Sequence, residues 1–283
     1  MKISRSELAL AVLIFSASAC GGGAGTGTIK LVTKGDESIT APIPADSPAK
    51  TGFVDGWVVT YKKFLVVIKA TTIADSTSKV LVKQPNGLIY DLKRPGPFIV
   101  QDVPGIAAGK YEKVSYAVGF DAQFQLVPDA ITVPDATLMR NNQFGLYVEG
   151  NATKGSLSKE FQWGFTLDTL YEGCAKNGVS GVTVVKDGTE TVELTMRGDH
   201  LFLDNLASSD AKLRFEAIAS ADSPTDGTIS LEELSKVSLS TIPGMPYGAG
   251  GSSEVKTLKD FVFASSRTLG HYRGDGECTS KPQ

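Results

Sequence analysis

The chain has 283 residues, with 28 Lys and Arg against 31 Asp and Glu and a formal net charge of −3. Charged residues make up 21%, hydrophobic residues 41%, and 30 Gly with 13 Pro supply many turns, the composition of a globular chain. That balance offers no basic face to displace counterions from DNA or RNA, so a nucleic-acid partner is not expected.

Residues 1–19 read as an export signal: Lys2 and Arg5 make a basic start, 8–17 is an apolar run broken only by Ser16, and Ala17-Ser18-Ala19-Cys20 follows. The run is far shorter than the roughly 20 residues needed to cross a bilayer. Small residues before a cysteine suit lipoprotein signal peptidase, and Ala17-x-Ala19 also suits the ordinary enzyme. The glycine-rich stretch Gly21-Gly22-Gly23-Ala24-Gly25 favours a lipid on Cys20, because such a run behaves as a flexible leash. Residues 20–51 are accordingly expected to be a lipid-anchored tether, with only Ile29-Lys30-Leu31-Val32 looking like a short strand. The expected location is the cell envelope, as an outer-membrane lipoprotein facing the periplasm or the surface, with the membrane and an unidentified protein or glycan as partners.

From Gly52 the apolar density rises, and 58–68 is rich in the Val, Phe, Tyr and Ile that suit strands. Further strands are predicted at 79–82, 87–91, 98–100, 111–118, 124–127, 145–149, 161–166, 181–185 and 189–195. Asn86-Gly87 and Asp187-Gly188 are dipeptides of the hairpin-turn type. Many short strands punctuated this way predict an antiparallel β-sandwich over 52–200. Beyond it the apolar spacing turns helical, as in Leu203 with Leu206, then Leu213, Ala217 and Ile218, and later Leu258, Phe261 and Val262. A small α-helical C-terminal region is therefore expected over 201–283.

Three cysteines are present. With Cys20 set aside for lipid, Cys174 and Cys278 remain to form one disulfide in an oxidising compartment, the alternative being two separate thiols.

The most specific chemical motif spans 222–233 and reads as an EF-hand calcium loop. Asp222 takes position 1, Asp226 position 5, Gly227 the sharp turn at 6, Thr228 a carbonyl at 7, Ser230 a water-mediated contact at 9, and Glu233 the bidentate carboxylate at 12. Segments 209–220 and 231–237 read as the flanking helices. Pro224 stands where a third ligand belongs, so weak calcium binding is expected, with Kd on the order of 10⁻⁴ to 10⁻³ M. The rival reading is a loop that keeps the turn and the cap but has lost the ion.

His200 and His271 are the two histidines of the chain. A Cys174–Cys278 bridge that folds the tail back would let them meet, with Asp199 or Asp275, as a transition-metal site; the alternative is a hydrogen-bonded structural pair. Trp57, Trp163, Phe161, Phe165 and Tyr171 are candidates for an aromatic ligand platform or for core, and the alternation Phe161-Gln162-Trp163-Gly164-Phe165 puts three rings on one face. No metalloprotease, nucleophile-elbow, phosphate-loop or dinucleotide pattern occurs, so a non-catalytic module is expected.

Asp55-Gly56-Trp57, Phe161-x-Trp163 followed by Tyr171-Glu172-Gly173-Cys174, Asp199-His200-Leu201-Phe202, the 222–233 loop and Gly270-His271 to Gly276-Glu277-Cys278 together resemble uncharacterised envelope lipoproteins of predatory and social soil bacteria, the myxobacterial type. That resemblance covers most of the mature chain and implies no activity. The chain is also faintly similar to the periplasmic copper-binding proteins associated with methanobactin, which implies a β domain with strand-end histidines and places Trp163 near His200. Those proteins carry more cysteines than this chain.

Overall fold

The computed structural model describes residues 25–46, 52–223, 226–244 and 247–283. The export signal, Cys20 and Pro224 lie outside the described residues. Among the described residues no helix is long and apolar enough to cross a membrane.

The chain opens with β1 (Thr26–Gly35) and a one-turn helix, α1 (Glu37–Thr40), then runs through β2 (Val58–Ala74), β3 (Val80–Lys83), β4 (Leu88–Asp91), β5 (Phe98–Ala107), β6 (Gly109–Tyr111), β7 (Lys113–Gly119) and β8 (Gln125–Leu126). Helix α2 (Val133–Asn142) precedes β9 (Leu146–Lys154), β10 (Leu157–Phe165), β11 (Asp168–Lys176), β12 (Val179–Ser180), β13 (Val182–Val184) and β14 (Thr189–Met196). The last third holds α3 (Glu216–Ala219), β15 (Thr228–Ser230), α4 (Leu231–Ser235), α5 (Leu258–Ser265), β16 (Gly270–Tyr272) and β17 (Glu277–Pro282).

The strands build two main sheets. One has the order β16-β14-β1-β5; the other runs β12-β11-β7-β2-β9-β10-β15, with β17 on β11, β3 and β4 on β2, and β8 on β4. Ile29, Leu31, Val192 and Leu194 of the first sheet belong to the same buried core as Val66, Val148, Phe161 and Trp163 of the second. The other face of β2 is covered separately: Leu65 and Val67 pack with Ile89, Phe124, Met139 of α2 and Tyr147. Burial on both faces explains why 64–68 is apolar without alternation.

Three expectations are corrected by this arrangement. The sheets are mixed rather than antiparallel, because β1 runs parallel to β14, β10 to β15 and β4 to β8. The segment 20–51 is not a tether throughout: β1 is an interior strand, with β14 on one side and β5 on the other, and Ile29 and Leu31 are fully buried. Its weak composition conceals this, since ten residues of backbone pairing on both sides make up for few apolar side chains. The division at residue 200 also fails, since β15 and β17 complete the large sheet and β16 the small one.

Helix in the C-terminal part is limited. Of the predicted 209–220 helix only Glu216–Ala219 forms, because Leu213 bridges both Phe53 and Leu203 in extended conformation. The two turn dipeptides do not close hairpins either. Strands β3 and β4, on either side of Asn86-Gly87, both pair with β2, and β13 and β14, flanking Asp187-Gly188, pair with β6 and β1.

Candidate metal centre

Strand β16 lies antiparallel on β14, with Thr195 opposite His271 and Met196 opposite Gly270. The chain leaves β14 through Arg197 and Gly198 into the turn Asp199–Phe202, which carries His200. Ser38, just after β1, fixes that exit by accepting from the backbone N–H groups of Gly198 (2.8 Å) and Asp199 (3.0 Å). On the other side, β16 turns back into β17 through Arg273 and Gly274, both at positive φ. Cys278 of β17 forms a disulfide with Cys174 of β11 across 104 residues of sequence. The tail is thereby folded back, as the pairing expected of Cys174 and Cys278 implies.

His200 and His271, 71 positions apart, consequently pack edge to face with ring centroids 4.8 Å apart and planes at 88°. His200 Nδ1 lies 2.9 Å from the Thr268 carbonyl oxygen, so Nδ1 carries the proton and the lone pair falls on Nε2. His271 is 2% exposed, and its Nδ1 is buried with no hydrogen-bond partner among the described residues. Burial holds both imidazoles neutral, pushing His200 down to about 4 and His271 below its ordinary value. A cleft of about 270 Å³ opens on His200, lined also by Asn205, Ser208, Ser265 and Thr268.

The acids expected beside the pair serve other partners. Asp199 is bidentate to Arg197 at 3.1 and 2.5 Å, and Asp275 pairs with Lys176 at 2.6 Å. Among the described residues no cluster of three His, Cys, Asp or Glu side chains forms. Trp163 belongs to the core, where its indole N–H donates to the Ile229 carbonyl at 2.9 Å and its ring packs on Phe161 and Phe202. Trp57, Phe161, Phe165 and Tyr171 are likewise buried, at 1% exposure or less.

The 222–233 loop keeps much of the expected local geometry. Gly227 sits at φ +87°, a conformation that favours glycine, and its N–H donates to Asp222 Oδ2 at 3.1 Å. Ser230 caps α4, and Glu233 completes a capping box by accepting from the Ser230 N–H at 2.7 Å. Glu233 also reaches back to the Ser223 N–H at 2.8 Å. Asp226 accepts from the Thr228 N–H at 2.9 Å. The short β contact that EF-hands usually share with a second loop is made here with β10, where Ile229 pairs with Phe161.

Lys159 of β10 binds Asp222 Oδ2, and that contact is the first cause holding the Asp222 carboxyl below the usual range. For Glu233 burial works upward, but the Ser230 and Ser223 donors outweigh it and its carboxyl is also lowered. Nothing in the sequence singled out Lys159 or Thr268. Both are ordinary polar residues whose role comes from elements brought beside them.

Fold and site together define a disulfide-clamped, mainly β protein in which a half-buried, neutral His200 packs on a buried, neutral His271. No family model matches the chain, and no curated protein matches it. Among solved structures it is similar to MbnP from Methylosinus trichosporium, at 13% identity and a TM-score of 0.33, over 62% of this chain and 77% of that one. A likeness at that level assigns neither fold nor function.

Proposed function

We propose that the chain is an exported, non-catalytic envelope protein whose two histidines bind a late first-row transition ion, copper foremost. The observation that carries this reading is His271 Nδ1, a buried nitrogen with no partner among the described residues, on a ring that packs against His200. A buried polar nitrogen left unpaired costs about 1–3 kcal/mol, and a metal bond removes that cost. Neutral imidazole is a good ligand for copper, nickel and zinc. The bond from His200 Nδ1 to the Thr268 carbonyl is the kind of outer contact that fixes tautomer and ring orientation in metal-binding histidines. With two protein ligands, the remaining positions would be filled from the cleft on His200.

Export is supported by the signal-like start, the lipid-acceptor position of Cys20, and a disulfide of the kind that persists in oxidising compartments. The test is titration of the mature protein with Cu(I) and Cu(II), read by competition with a chromophoric chelator and by nitrogen hyperfine structure, beside His200→Ala and His271→Ala. One equivalent should bind, and each variant should weaken binding by about 100-fold, the scale of losing a positioned ligand. Equal binding by the double variant refutes the reading.

A second reading, calcium in the 222–233 loop, is supported by Asp222 Oδ1, which is buried and without a partner among the described residues where an EF-hand ion is held. Its test is a thermal melt at rising CaCl₂ with a Glu233→Gln control, since a ligand that binds only the folded state raises the midpoint.

A further inference from the structure

In an EF-hand the position-1 aspartate is compensated by the ion. Here it is compensated by the protein. Parallel pairing of β10 with β15 sets Glu160 opposite Thr228, and the Glu160 N–H donates to the Gly227 carbonyl at 2.7 Å. Lys159, one residue earlier, is thereby carried to the mouth of the loop, where its ammonium binds Asp222 Oδ2. The Asp222 side chain is 1% exposed and that of Lys159 17%, so this is not one of the screened surface pairs that contribute little. A carboxylate so buried requires a positive partner, and an ion pair of this kind is costly to break from one side.

We infer that Lys159 is the resident cation beside Asp222 and Glu233, holding Asp222 against β15 without metal and setting the threshold at which a divalent ion enters. This rests on the calcium reading of the loop and adds to it the residue that tunes the site. The exchange involves no covalent step: Ca²⁺ takes Asp222 Oδ1 together with Glu233, Oδ2 keeps the Gly227 N–H, and the Lys159 ammonium, still protonated and repelled by the ion, swings out on its flexible stem. The neighbouring charges do not substitute for it. Lys62 is paired with Glu160, and Lys154 with Glu216.

The test compares calcium binding to the native protein and to Lys159→Met by calorimetry, with Glu233→Gln in both backgrounds. Removing a charge-assisted hydrogen bond that the ion must otherwise break should tighten calcium binding by about tenfold or more, and Glu233→Gln should abolish the gain. In EDTA, Lys159→Met should melt below the native protein, and adding Asp222→Asn should restore part of the loss. A second measurement needs no variant: Lys159 should be protected from reductive methylation in EDTA relative to the exposed Lys236, and saturating calcium should remove that protection. Calcium binding to both proteins with equal affinity, or with Lys159 still protected, overturns the role of Lys159 and leaves the calcium reading standing. Absence of calcium binding in both overturns the two together.

Discussion

The His200 ring makes the fold acid-sensitive in a defined window. In the folded protein burial lowers its pKa to about 4, helped by the neighbouring His271 and Arg197 and opposed by Asp199, while in the unfolded chain it titrates near its ordinary value of about 6.5. Above that value neither state holds the proton and the contribution to stability is complete. As pH falls from there toward 4 the unfolded chain binds more protons than the folded one, so stability is lost; below 4 both states are protonated and the loss levels off. The full shift corresponds to about 3 kcal/mol, and because His200 borders an open cleft we expect about 2 kcal/mol to appear. Carboxylates titrate in the same range, so the assay is urea unfolding of the metal-free native protein and of His200→Gln from about pH 7.5 to about pH 4.5. The native protein should lose about 2 kcal/mol more than the variant over that interval. Parallel curves for the two proteins would refute the assignment of a neutral, half-buried His200.

Other perturbations separate the elements around the centre. Replacing Cys174 and Cys278 together by Ser opens a loop of 104 residues and should cost about 4–5 kcal/mol on the chain-entropy model, read as a shift of the urea midpoint. A loss below about 1 kcal/mol would mean that pairing of β11 with β17 alone constrains the tail. Gly181→Ala should cost about 3 kcal/mol or more: Gly181 sits at φ +72° and an added Cβ would lie 2.0 Å from the Tyr111 carbonyl oxygen. Gly178→Ala is the control, with φ +75° but nothing within 4 Å, and should cost about 1 kcal/mol in a thermal melt.

What the sequence made legible was what side-chain pattern alone determines. Alternation along 161–165 correctly placed Phe161, Trp163 and Phe165 on one buried face, and the cysteine count led to the observed bridge. The meeting of His200 and His271 was legible as a consequence of that bridge rather than from any motif. Strand β1 was hidden because its pairing is contributed by β5 and β14, residues that lie far along the chain and leave no mark on 26–35. The spacing around 213–218 looked helical because Leu213, Ala217 and Ile218 recur at intervals a helix allows; tertiary bridging to Phe53 drew Leu213 into extended form instead. Lys159 was illegible for a related reason, since its partner Asp222 is 63 residues away and reaches it only through the pairing of β10 with β15.

The placement of β1 also has a kinetic side. Thr33 near its end bonds to Leu194, 161 residues later, so the first strand of the body has no parallel partner until most of the chain is available. Contacts this distant close slowly, and domains dominated by them assemble late rather than segment by segment. A chain growing from its N-terminus can offer β5 to Ile29, Leu31 and Val32 once residue 107 has been added, but the β14 side of β1 stays open until residues 189–196 exist, so the small sheet is completed late.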